Sequence, residues 1–130
     1  MSRVDVDGVG IEYQVATHMM RLGLVKEGLD VVRACRQRYD GRVRNPFNEY
    51  ECGHWYARAM SSYALLFGLS GARYDAVEKV LYLEPSIRGD FRSFFSNASS
   101  YGTVGVKDGK PFYDAKNGTL EIREVKYAAA

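Results

Sequence analysis

The chain has 130 residues and a formal net charge of +2, and 46% of its residues are apolar and 13% aromatic. This composition predicts one packed globular domain and excludes a disordered chain, because it supplies enough apolar surface for a core. The 18 basic and 16 acidic residues are spread along the chain, so no dense basic patch predicts a nucleic-acid partner.

The cysteine content and the hydropathy suggest where the protein works. Two cysteines, Cys35 and Cys52, are too few for a disulfide framework and lack the repeated spacing of a zinc site, so no metal or cofactor is expected. The first ten residues carry no apolar segment typical of a signal peptide. The longest apolar stretch, 55–69, is too short to span a membrane. These features predict a cytoplasmic protein.

The first predicted helix begins near residue 9. Its apolar side chains recur at steps of four, four and three, and this spacing predicts a single apolar face. The face is formed by Ile11, Val15, Met19 and Leu22. Gly23 is expected to end the helix.

A second helix follows after a minimal link. It shows a wide apolar stripe that includes Leu24, Val31 and Cys35, and Asp40-Gly41 ends it. Because the link is so short, the two helices are expected to form an antiparallel pair.

The third predicted helix covers about 53–69. Asn45-Pro46 separates it from the second helix, since the residue before a proline avoids helical backbone angles. This helix is apolar almost all round, which is typical of a buried helix.

Strand-forming residues dominate the rest of the chain. The predicted strands lie within 77–83, 101–107, 110–114 and 119–127. Asp108-Gly109 and Asn117-Gly118 separate the last three, and both pairs are strong hairpin signals. The chain is therefore expected to have a helical part, about 9–72, and a strand-rich part, about 77–127.

Arg58 is the only formal charge between residues 53 and 72. A buried arginine needs a partner, because a buried unpaired charge costs several kcal/mol. The nearest candidates are Glu49 and Glu51, and one interpretation is a carboxylate that caps the helix and neutralises Arg58. The other is that Glu49 and Arg58 bind neighbouring hydroxyls of a sugar, since together they offer acceptors and a rigid set of donors.

Other polar residues in the same loop support weaker hypotheses. Cys52 beside His54 suggests an activated thiolate, but no third group is present to orient the pair. Glu49 and Glu51 suggest an acid/base pair, yet residues two apart in a loop need not converge on one bond. A packed free cysteine and a helix-capping carboxylate are the simpler interpretations.

Two polar features lie outside this loop. His18 falls within the first helix, where a core or rim histidine is a simpler interpretation than a ligand. Asn97-Ala98-Ser99 matches the sequon for N-glycosylation, which is relevant only to a secreted protein.

The run RNPFNEYECGHWYARAMSSYALL, residues 44–66, resembles the C-terminal signature of the catalytic domain of glycoside hydrolase family 116. That family contains β-glucosidases and non-lysosomal glucosylceramidases. The run upstream from residue 10 resembles the family as well, and so do LYLEP and FRSFFSNASSYGTV, so the resemblance covers about residues 10–104.

The resemblance implies a fold and a role for two residues. The family fold is an (α/α)6 barrel, so the chain is expected to be mainly α with a β-hairpin-rich C-terminal segment, supplying the last helices of the barrel. Family members are retaining enzymes with a glutamate nucleophile and an aspartate acid/base. Glu49 and Arg58 match the pair that binds hydroxyls of the glucose unit.

The segments that carry the two catalytic carboxylates are not among the 130 residues. A retaining glycosidase needs both, about 5–5.5 Å apart. The expectation is therefore a single partial domain over 1–130: the C-terminal fragment of an enzyme for β-glucosides or glucosylceramide. It has no catalytic residue of its own and is inactive without the missing N-terminal barrel segment. Helices separated from a barrel expose apolar faces, which predicts self-association.

Two alternatives remain open. One is a non-catalytic carbohydrate-binding or interaction module, and the other is an (α/α)6 glycosidase with a different sugar preference. The aglycone is not predicted, because the loops that would recognise it lie outside these residues.

Overall fold

Helices come first and strands follow in this computed structural model, which describes residues 9–42 and 59–130. The helices are α1 (Val9–Arg21), α2 (Val25–Arg38) and α3 (Ala59–Ser70). The strands are β1 (Ala72–Asp75), β2 (Val80–Leu83), β3 (Phe91–Ser96), β4 (Ser100–Lys107), β5 (Lys110–Gly118) and β6 (Glu124–Tyr127). The chain divides into two compact units, Met1–Leu65 and Leu66–Ala130.

In the first unit, α1 and α2 form the predicted antiparallel pair. Gly23 turns the chain between them with a φ of 83°, which glycine adopts without strain. Glu12, near the start of α1, forms an ion pair with Arg38, at the end of α2. The helices approach closely at Gly28, where a Cβ atom would lie 2.8 Å from the carbonyl oxygen of Ala16.

The face of α1 that is buried differs from the predicted one. The buried side chains are Tyr13, Ala16 and Met20, again at helical spacing. Three members of the predicted face are exposed instead, at Ile11 (65%), Val15 (48%) and Leu22 (65%). The small residues Ala16 and Gly28 explain why this face of α1 is the buried one, because they allow the two helix backbones to approach more closely than bulky aliphatic side chains would permit.

In the second unit, the first sheet has the strand order β1-β2-β6 and the second has the order β3-β4-β5. All neighbouring strands are antiparallel except β2 and β6, which are parallel. One hydrophobic core is formed by buried side chains from both sheets: Ala72, Leu81, Leu83, Phe95, Val104 and Val106.

One of the two predicted hairpins is confirmed. Asp108 and Gly109 join β4 to β5 with φ values of 51° and 72°, the positive pair that a tight two-residue hairpin needs. Asn117-Gly118 does not form a hairpin, since it lies at the end of β5. The strand that follows pairs with β2 rather than with β5.

The predicted fold class is wrong. In place of mainly α structure forming the last helices of an (α/α)6 barrel, the described part of the chain is a small α+β domain with three helices and two small sheets. The physical reason lies in Leu66–Ala130, where the strands satisfy one another's backbone hydrogen bonds and close a core of their own. Two of these strands, β1 and β3, were not predicted.

Candidate functional site

The predicted sugar-binding pair lies between α2 and α3. Glu49 and Arg58, together with Glu51, Cys52 and His54, fall within 43–58, outside the described residues. Their pairing therefore stays a prediction.

Helix α3 follows this segment and exposes apolar side chains. Met60, Tyr63 and Phe67 recur at helical spacing and are 83%, 55% and 41% exposed. The prediction that this helix is buried all round is wrong for these three positions. We call these residues the α3 face, and Ile11, Val15 and Leu22 the α1 face. Apolar side chains grouped in this way are typical of surfaces that bind further polypeptide.

Cys35 is the described cysteine, and its surroundings keep it unreactive. The side chain is 1% exposed, and the Arg38 guanidinium lies 3.8 Å from its Sγ atom. Burial, together with the neighbouring Glu12, raises the pKa of the Cys35 thiol to about 11. The thiol is therefore protonated at neutral pH, which is the opposite of what a nucleophilic cysteine needs.

We expect Cys35 in the folded Cys52→Ser variant to react with a disulfide reagent at least about 100-fold more slowly at pH 8 than in urea. The raised pKa lowers the thiolate fraction, and burial blocks access as well. Absorbance of the released thiolate measures both rates. Similar rates in the two states would show that the α1–α2 contact opens easily.

The same shift in pKa has a consequence for stability at alkaline pH. The folded-state pKa is higher than that of the unfolded chain, so the native state holds its proton more tightly. The stabilisation from Cys35 is complete below the ordinary thiol value of 9.0 and is lost as the pH rises toward about 11. Replacing Cys35 by alanine should flatten that part of the stability–pH curve.

The glycosylation sequon has a structural role in the β3–β4 turn. The Asn97 side-chain oxygen accepts hydrogen bonds from the backbone N–H groups of Ser99 and Ser100, both at 2.9 Å. These bonds orient the amide and place its nitrogen in a buried position without a hydrogen-bond partner. Because a glycan is attached to that nitrogen, Asn97 in this conformation is not an acceptor.

His18 lies in the last turn of α1 and is exposed. In the described ranges 9–42 and 59–130, no three His, Cys, Asp or Glu side chains are grouped as a metal site would require. His18 therefore has no set of co-ligands among those residues.

The β3-β4-β5 sheet also carries a group of polar side chains that was not predicted from the sequence. A cleft with a volume of about 780 Å³ opens beside the β4–β5 hairpin. Its lining includes Arg92, Phe112 and Asp114. Arg92 is far from Phe112 and Asp114 in sequence, and a residue that packs against the core separates the latter two. No local sequence motif therefore identifies the three residues.

Among the described helices, none is long and apolar enough to cross a membrane. No protein-family model and no curated protein matches the sequence.

Proposed function

We propose that this chain is the C-terminal part of a retaining glycoside hydrolase that acts on β-glucosides or glucosylceramide in the cytoplasm. Glu49 and Arg58 bind hydroxyls of the sugar, and a separate polypeptide segment supplies the nucleophile and the acid/base. The chain alone binds its sugar weakly and does not hydrolyse it. The enzyme uses no metal or cofactor.

The structural observation that supports this proposal is the exposure of the α1 face and the α3 face. Met60 is 83% exposed, and Ile11 and Leu22 are both 65% exposed. Burying a side chain of this size stabilises a complex by about 1.5–3 kcal/mol. Each face therefore offers a substantial driving force for binding the rest of a catalytic domain.

The sequence supports the roles of Glu49 and Arg58. The motif NPFNEYECG carries Glu49, and Arg58 follows in WYAR. A carboxylate accepts hydrogen bonds from two adjacent hydroxyls, and a guanidinium donates to both. The resemblance to glycoside hydrolase family 116 assigns this pair to sugar binding and the catalytic carboxylates to other segments of the enzyme.

A complementation experiment tests the proposal. The chain is mixed with a catalytic-domain segment of a family 116 β-glucosidase that ends before the region equivalent to residue 10, and hydrolysis of an aryl β-glucoside is measured. Neither piece alone should be active, and the mixture should be. Glu49→Ala and Arg58→Ala should each lower kcat/KM by about 10- to 100-fold, the effect of losing a hydrogen bond to a charged group.

Variants in the two helix faces test how the pieces associate. Val15→Glu and Met60→Glu should prevent complementation, whereas Gln37→Glu, an exposed position on α2, should leave it unchanged. Hydrolysis by the chain alone that persists in Glu49→Ala would refute the proposal. Tight binding of a glucose-like inhibitor by the chain alone, lost in Arg58→Ala, would favour a non-catalytic carbohydrate-binding module instead.

A further inference from the structure

Arg92, Phe112 and Asp114 line the cleft beside the β4–β5 hairpin, and they lie on the face of the β3-β4-β5 sheet that points away from the core. Val104, Val106 and Phe95 point into the core, so the residues that alternate with them point outward. The cleft is lined by Asp90, Phe91, Arg92, Val106, Lys107, Asp108, Lys110, Pro111, Phe112 and Asp114.

A glycine in the central strand positions the aromatic ring of this cleft. Gly105 lies between Arg92 on β3 and Phe112 on β5 in the strand register. A Cβ atom at Gly105 would lie 2.9 Å from a carbon of the Phe112 ring, so the ring covers the bare backbone. Phe112 is partly buried there, which holds its ring in place beside the cleft.

A cation and an anion flank this ring. Arg92 is exposed in the same cross-strand row as Phe112, with Gly105 between them, and Asp114 follows Phe112 on the same face of β5. The Lys116 ammonium, 2.7 Å from Asp114, lowers the pKa of that carboxyl, and Arg92 adds to the effect. Asp114 is therefore ionised at neutral pH and offers acceptor oxygens, while Arg92 offers donors.

The charges of the lining favour a neutral ligand. The lining includes three cations, Arg92, Lys107 and Lys110, and three carboxylates, those of Asp90, Asp108 and Asp114. Asp90 already accepts hydrogen bonds from the backbone N–H groups of Asp108 and Gly109, at 2.8 and 3.4 Å. The lining residues themselves carry no net charge, and they offer both donors and acceptors beside an apolar surface.

We infer that this cleft is a second binding site, and that its ligand is a neutral carbohydrate. One sugar ring packs on Phe112, Arg92 donates hydrogen bonds to hydroxyl oxygens, and Asp114 accepts from hydroxyl groups. The volume of about 780 Å³ is within the usual range for small-molecule sites and is large enough for a disaccharide. The inference does not rest on the proposed function, because it uses residues of Leu66–Ala130 alone.

Titration of the full ¹⁵N-labelled chain with cellobiose and maltose, followed by amide chemical shifts, tests the inference. At least one disaccharide should shift the signals of residues around Arg92, Phe112 and Asp114. Glucose 6-phosphate should bind no more tightly than glucose, because the lining carries no net charge. Phe112→Leu, Arg92→Gln and Asp114→Asn should each weaken binding by about 10-fold, as expected for one lost hydrogen bond or ring contact.

The variants are chosen to keep the fold intact. Leucine still covers Gly105 but lacks a flat ring, and the other two changes are at exposed positions. Arg123→Gln, at a side chain that is 70% exposed and outside the cleft, should leave binding unchanged. Shifts that disappear only in Glu49→Ala would overturn the inference, as would tighter binding of glucose 6-phosphate or no binding of either disaccharide.

Discussion

Replacing Gly71 by alanine should lower the free energy of unfolding by about 2–5 kcal/mol. Gly71 follows α3 with a φ of +60°, a backbone conformation that costs a residue with a Cβ atom about 1–2 kcal/mol. A Cβ atom there would also lie 1.9 Å from the carbonyl oxygen of Glu84. Backbone atoms cannot rotate away as a side chain does, so overpacking adds about 1–3 kcal/mol.

Denaturant unfolding of the full chain, followed by circular dichroism, measures this effect. Gly89→Ala is the matched control, because Gly89 has a similar φ of +81° and nothing within 4 Å of the added Cβ atom. In the Gly89→Ala control the free energy of unfolding should fall only by the cost of placing a residue with a Cβ atom at positive φ, about 1–2 kcal/mol. Equal losses in the two variants would mean that the backbone of Glu84 does not pack against Gly71.

Replacing Leu83 by alanine should destabilise the protein by a similar amount, about 2–5 kcal/mol. Leu83 is 0% exposed and belongs to the core formed by both sheets. Its strand, β2, is central in the first sheet, and the backbone N–H of Ala128 donates to the Leu83 carbonyl oxygen at 3.1 Å. The variant leaves a cavity that this tightly hydrogen-bonded strand cannot close.

The midpoint and slope of denaturant unfolding measure the loss. Val77→Ala serves as the control, since Val77 is 83% exposed and its truncation should change the stability by no more than about 0.5 kcal/mol. A loss below about 1 kcal/mol in Leu83→Ala would contradict the core described for Leu66–Ala130.

The two binding proposals use different residues and have separate tests. The proposed enzymatic role depends on Glu49 and Arg58, which the motif in 44–66 supports. The carbohydrate cleft depends on Arg92, Phe112 and Asp114. A variant in one set should leave the other function intact, so either proposal can fail alone.

Features that depend on residues close together in the sequence were predictable from the sequence alone. Apolar spacing and the turn at Gly23 predicted α1 and α2 as an antiparallel pair, because helices form from contacts three and four residues apart. Asp108-Gly109 predicted its hairpin, because both residues tolerate positive φ.

The buried face of α1 was not predictable in this way. Both Ile11 with Val15 and Tyr13 with Met20 have helical spacing, so periodicity alone does not distinguish them. The close approach of Gly28 to Ala16 selects the second pair, and it depends on how two helices meet. For the same reason α3 was expected to be buried all round, although Met60 and Tyr63 are exposed.

Residue spacing and turn chemistry were therefore sufficient to predict the α1–α2 pair and the β4–β5 hairpin, whereas the sugar-binding role of Glu49 and Arg58 stays a prediction. The strand order of the sheets depends on long-range contacts, because β6 pairs with β2 across a long stretch of chain and no local rule specifies that partner. The same holds for the cleft: Arg92, Gly105 and Phe112 become neighbours only through the register of three strands. Backbone hydrogen bonds between strands that are distant in sequence place these residues side by side. The spacing of side chains along a single strand does not predict which strand will be its partner.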